Sequence, residues 1–85
     1  MGEFFKADVG KLCDNPVNNE EKCKMATNHF ANAVYSTLKG PAYHLPFGCI
    51  WDAVTPEQIF VYWNPYGYVL STDSNIRQVC HSVNS

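Results

Sequence analysis

Gln58-Ile59-Phe60-Val61-Tyr62-Trp63-Asn64-Pro65-Tyr66-Gly67 is the stretch on which the fold of this 85-residue chain turns. Its first half is almost wholly β-branched and aromatic, which suits a strand far better than a helix. Its second half is a turn signal: Asn opens it, Pro presets the next φ, and Gly accepts a left-handed position in a bulged hairpin. A strand over Ile59–Trp63 therefore ends in a reversal, and Tyr68–Ser71 would return antiparallel. Upstream, Cys49-Ile50-Trp51-Asp52-Ala53-Val54 reads as the preceding strand. The Thr55-Pro56-Glu57-Gln58 segment between them fits a type I turn or a helix start with Pro at its first position, and the strand that follows decides against the helix. Downstream, Asp73 or Ser74 would cap a short turn of helix through Ile76, Arg77, Val79 and Cys80.

Further outward the pattern becomes helical. Asn18 is a good N-cap, with Glu21 three residues on and Glu20 near the positive helix end. Cys23, Ala26, Phe30, Val34 and Leu38 follow at helical spacing as one apolar stripe. Lys39-Gly40-Pro41 then supplies a C-terminal cation, a glycine stop and a proline. The expectation is a helix over Asn19–Leu38, with Phe30, Val34 and Leu38 packing on Val61 and Trp63. Residues 1–17 read as an N-terminal arm, given grip by Phe4, Phe5 and Val9 and closed by Asp14-Asn15-Pro16. Residues 18–85 form a single α+β domain: one amphipathic helix on a small, mostly antiparallel three-stranded sheet.

The four cysteines, Cys13, Cys23, Cys49 and Cys80, include no CxxC pair. An even, widely spaced set in so short a chain indicates two disulfides, which can pair in three ways. The favoured pattern is Cys23–Cys49, tying the helix's first turn to the first strand, with Cys13–Cys80 tying the arm to the tail. The rival is a zinc site completed by His29, His44 or His81, but structural zinc usually draws on close C-x₂₋₄-C pairs. No metal and no cofactor are expected. A Cys49–His44 nucleophile pair would need a free thiol. Asp52, Glu57 and Asp73 read as a strand face, a turn and a cap rather than an acid–base pair. The chain is expected not to be an enzyme.

Composition narrows the partners. The chain is 46% hydrophobic, 14% aromatic and 16% charged, which favours order over disorder. A net charge of −2 with scattered Lys and Arg argues against nucleic acid and anionic membrane surfaces. No apolar run approaches the roughly 20 residues of a membrane span, so no transmembrane segment is expected. The N-terminus lacks the apolar core of a signal peptide, and Lys6 stands where myristoylation needs Ser or Thr. Disulfides imply an oxidising compartment, an organelle lumen or the exterior, so the targeting segment is expected to be absent from this sequence.

Gly48-Cys49-Ile50-Trp51-Asp52, Tyr62-Trp63-Asn64-Pro65-Tyr66-Gly67 and Arg77-Gln78-Val79-Cys80 together resemble short disulfide-stapled modules of secreted and organellar proteins of dinoflagellates and other algae. The resemblance covers roughly residues 20–82 and leaves the arm outside. It implies a stapled α+β unit beside other domains or acting as a small accessory subunit, and it implies no activity.

Alternation along a strand puts Ile59, Val61 and Trp63 on one face and Phe60 and Tyr62 on the other. One helix covers one face, here assigned to Ile59, Val61 and Trp63. Phe60 and Tyr62 then point outward near Tyr66, covered either by the arm through Phe4 and Phe5 or by a partner. The functional expectation is protein–protein docking, with Phe4, Phe5, Phe60, Tyr62 and Tyr66 as contact residues on a larger protein assembly. Given the algal resemblance, one form is a lumenal peripheral subunit of a photosynthetic complex. The alternative is a carbohydrate-binding module that stacks exposed Trp and Tyr rings on a polysaccharide.

Overall fold

A computed structural model describes residues 3–37, 45–67 and 74–82. It contains β1 (Phe4–Lys6), α1 (Glu20–Thr27), β2 (Ala33–Tyr35), β3 (Gly48–Thr55), β4 (Gln58–Asn64) and β5 (Ile76–His81). The strands form one sheet in the order β1-β5-β3-β4-β2, curled into a half-barrel. All pairings are antiparallel except β2 with β4. This overturns the three-stranded antiparallel sheet under a long helix: the sheet has five strands of mixed direction, and the helix is short. The expected returning strand, Tyr68–Ser71, lies outside the described residues, as do Leu38, Tyr43, His44 and Asp73.

The centre of the sheet is the β3–β4 hairpin, with Trp51 opposite Val61 and Ile50 opposite Tyr62. Thr55-Pro56-Glu57-Gln58 makes its turn rather than a helix, and the Thr55 hydroxyl accepts the Gln58 N–H at 3.0 Å. At the far end of β4, the Asn64 side-chain oxygen accepts the Tyr66 N–H at 3.2 Å. Gly67 is required there, but not for a positive φ. A Cβ at that position would collide with the Leu45 and Pro46 carbonyls.

Helix α1 begins one residue later than expected, capped by Asn19, whose side chain accepts the Lys22 N–H at 2.8 Å. It stops after Thr27 because Asn28, His29 and Asn32 are weak helix formers, and Asn32 adopts a left-handed φ of 63°. The chain reverses there and Ala33-Val34-Tyr35 runs parallel to β4. Val34 consequently leaves the expected core stripe and is 59% exposed. Beyond Asn75 the expected helical turn is instead β5, whose β-branched Ile76 and Val79 suit a strand between β3 and β1.

Residues 3–17 are built into the same fold. β1 is an edge strand on β5, and Pro16 bridges Cys80 on the opposite side of that strand. Val17 is fully buried and its N–H donates to Val79 O at 3.3 Å. Together, β1 and residues 15–17 grip the end of β5 from both sides, the latter where β3 no longer pairs.

Both sheet faces are packed. Between α1 and the sheet, Cys23 and Ala26 of the helix pack with Val17, Cys49, Val61 and Val79, with Phe30, Tyr35, Trp51 and Trp63 partly buried around them. On the other face, Leu45, Ile50 and Tyr62 form a second cluster flanked by Phe60 and Ile76. The two disulfides are Cys23–Cys49, joining α1 to β3, and Cys13–Cys80, joining the arm to β5. This is the nested pairing favoured from the sequence. Each closes a long loop, and losing such a bridge in a small domain typically costs about 2–5 kcal/mol.

Candidate functional site

The five aromatic residues expected at a contact surface do not share one. Tyr62 is 8% exposed, in the second cluster, and its hydroxyl donates to Asp52 Oδ2 at 3.0 Å. Burial, and then the neighbouring Asp52 carboxylate, raises its hydroxyl pKa well above the usual phenol range. The expectation of an outward Tyr62 is therefore corrected, and Asp52 is half-buried rather than simply solvated. Phe60 is half-buried beside it. The reason is Leu45, which follows the Gly/Pro-punctuated segment and packs against this face, so the arm is not what covers it.

Phe4 lies on the α1 side of the sheet. Its ring stacks on His81 at 4.9 Å and meets His29 edge-on at 5.0 Å. Phe5, one residue on, faces the opposite way and is 50% exposed. Tyr66 is 45% exposed at the tip of the turn after β4. Of the five, Phe5 and Tyr66 are thus the open ones, and they belong to different segments.

The two tryptophans have neighbours that occupy their rings. Lys6 Nζ sits 3.9 Å from the Trp51 ring centroid, a cation–π contact, and Phe47 meets Trp63 edge-on at 5.6 Å. Both are half-buried. Tyr35 reaches from β2 to α1, its hydroxyl donating to Glu20 Oε2 at 2.7 Å. Burial, with the Glu20 carboxylate second, raises the Tyr35 pKa.

A different surface stands out. An open cleft of about 480 Å³ lies between the arm and β5, walled by Phe5, Leu12, Asp8, Lys11 and His81, with Cys13 and Cys80 in its lining. Leu12 is 53% exposed and Val9, on the same segment, is 43% exposed. The cleft is shaped by Gln78, a buried β5 side chain. Its Oε1 accepts the Cys13 N–H at 2.7 Å, while its Nε2 donates to Phe47 O at 2.6 Å. Arg77 holds the start of the segment, its Nη1 donating to Ala7 O at 3.1 Å. Sequence reasoning missed Leu12, Lys11 and Gln78, because the arm has no hydrophobic period and a lone Gln in a strand carries no signal. The Cys13–Cys80 pairing is the one clue that placed residues 8–14 against β5.

All four cysteines are in disulfides, so Cys49 has no thiol to offer a histidine. Among the described residues no group of three or more His, Cys, Asp or Glu is placed to hold a metal ion. Glu57 is exposed in the hairpin turn. Among the described residues no helix is long and apolar enough to cross a membrane, and the two disulfides are compatible with an oxidising compartment. Comparison with family models, curated proteins and solved structures finds no match to this chain.

Proposed function

We propose that this chain is a non-enzymatic docking module, a small accessory subunit that presents its arm cleft to a larger protein assembly in an oxidising compartment. The observation that carries this is the concentration of exposed apolar side chains, Phe5, Val9 and Leu12, on one short segment that wraps β5. Exposed apolar side chains gathered around a cleft mark interaction surfaces. Here they are held in place by a covalent bridge and several backbone bonds, so little ordering entropy is lost on binding. Asp8, Lys11 and Asp14 give the cleft a polar rim, the usual anatomy of a protein interface. The docking role stays with Phe5 from the original set and moves from Phe60 and Tyr62 to Leu12. The algal resemblance favours a lumenal peripheral subunit of a photosynthetic complex as the form this takes.

The test is native separation of a source-cell extract, followed through this chain by mass spectrometry. The chain should migrate with a large assembly, and the Phe5→Ser/Leu12→Ser variant should stay folded yet leave it. Migration of the wild-type chain only as a free 9.6 kDa species would refute the reading. Binding of the purified chain to an immobilised polysaccharide would transfer it to the carbohydrate-binding alternative. That alternative draws less support, because Trp51 and Trp63 already carry Lys6 and Phe47 on their rings.

A further inference from the structure

The two disulfides sit in opposite environments. Cys23 and Cys49 are both fully buried between α1 and β3, so a reductant reaches them only if the helix lifts from the sheet. Cys13 is partly exposed and lines the open arm cleft, while its partner Cys80 is only 2% exposed. Thiol–disulfide exchange requires a thiolate to reach a sulfur, and access is one of the factors that set its rate.

We propose that Cys13 Sγ is a thiol–disulfide exchange site, at which a dithiol reductant opens the Cys13–Cys80 bridge while Cys23–Cys49 stays closed. A thiolate of the dithiol bonds to Cys13 Sγ, the Cys13–Cys80 S–S bond breaks, and Cys80 leaves as a thiolate and is protonated. The second thiol of the reductant then attacks the mixed disulfide, forms the reductant's own disulfide and releases Cys13. Two electrons and two protons pass from the dithiol to the protein. In the cleft, the Lys11 ammonium attracts the incoming thiolate, whereas Asp8 and Asp14 repel it. Their sum disfavours a strongly anionic reductant, and a dithiol of neutral surroundings fits best.

The structure also fixes what opening does. Ahead of the cleft segment, Ala7 N–H donates to Gln78 O and Arg77 to Ala7 O. After it, Asn15 exchanges bonds with His81, and Val17 stays in the core. Between them, Cys13 N–H donates to Gln78 Oε1 and holds the segment to β5 beside the bridge. Reduction thus turns residues 8–14 into a loop pinned at both ends and leaves the sheet intact. The inference concerns the free chain, whose cleft is open, and does not rest on the docking reading.

The experiment exposes the purified, fully oxidised chain to dithiothreitol at neutral pH, quenches samples with iodoacetamide and maps the labels by peptide mass spectrometry. A species labelled at Cys13 and Cys80 alone should accumulate first. Its formation should outpace opening of Cys23–Cys49 by at least about tenfold, the factor given by a 1.4 kcal/mol difference. Labelling of Cys23 and Cys49 first, or of all four together, overturns the proposal. In hydrogen exchange, the two-thiol species should lose protection at residues 8–14 and keep it in β3 and β4. Loss of protection throughout would show that the bridge holds the fold rather than the segment, and would overturn it equally.

Discussion

Replacing Tyr62 separates a covered second sheet face from an open one. The ring is almost fully buried against Leu45 and Ile50, and its hydroxyl donates to the Asp52 carboxylate. Truncating a buried aromatic residue to alanine costs about 3–5 kcal/mol through lost transfer energy and the cavity left behind. The hydrogen bond adds to this. A bond to a charged acceptor is worth about 1.5–3 kcal/mol, and half-buried Asp52 regains water when the donor goes, which favours the low end. Tyr62→Phe, keeping the ring, should therefore cost about 1–2 kcal/mol, and Tyr62→Ala about 4–6. A domain of this size has a total stability of roughly 4–13 kcal/mol. Tyr62→Ala thus approaches unfolding, with the disulfides still closed. Urea unfolding followed by Trp51 and Trp63 fluorescence measures both variants. A loss below about 1 kcal/mol for Tyr62→Ala would place the ring in solvent and return the docking surface to Phe60 and Tyr62.

Two further outcomes follow from the same geometry. The folded state holds the Tyr62 and Tyr35 hydroxyls above their unfolded pKa of 10.0, so it favours their neutral forms. Their contribution is complete below that unfolded value and is lost as pH rises through the folded ones. Urea midpoints should be level through neutral pH from this source and fall above about pH 10, less steeply in Tyr62→Phe; an equal fall in that variant refutes the assignment. Val34→Thr should change stability by no more than about 0.5 kcal/mol, since the side chain is exposed on the edge strand β2. A cost above about 2 kcal/mol in the same urea titration would put Val34 back in a helical core stripe.

The sequence alone determined the β3–β4 hairpin, the start of α1 and the two-bridge framework. Each rests on short-range physics: β-branched runs at Ile59–Trp63, an asparagine cap expected at Asn18 and found one residue on at Asn19, and four cysteines with no close pair. Tertiary structure decided where the helix ended. Phe30, Val34 and Leu38 keep helical spacing, yet β4 offers an open edge that Ala33–Tyr35 satisfies by pairing, and Asn32 takes the left-handed turn this requires. Ile76–His81, expected from local pattern to be a turn of helix, is a strand for the same reason. A six-residue segment becomes a strand only when β3 and β1 stand on either side to accept its backbone bonds. Alternation correctly divided Val61 and Trp63 from Phe60 and Tyr62, but not which face lay open. That depended on Leu45, a residue far along the chain, which packs on Tyr62 and closes the second face. The arm cleft was the least legible feature, because Phe5, Leu12 and His81 meet only after β5 has threaded between β1 and Pro16. Period and propensity report on neighbours in sequence, whereas this surface is made by residues some seventy positions apart, brought together by the Cys13–Cys80 bridge with its sequence separation of 67.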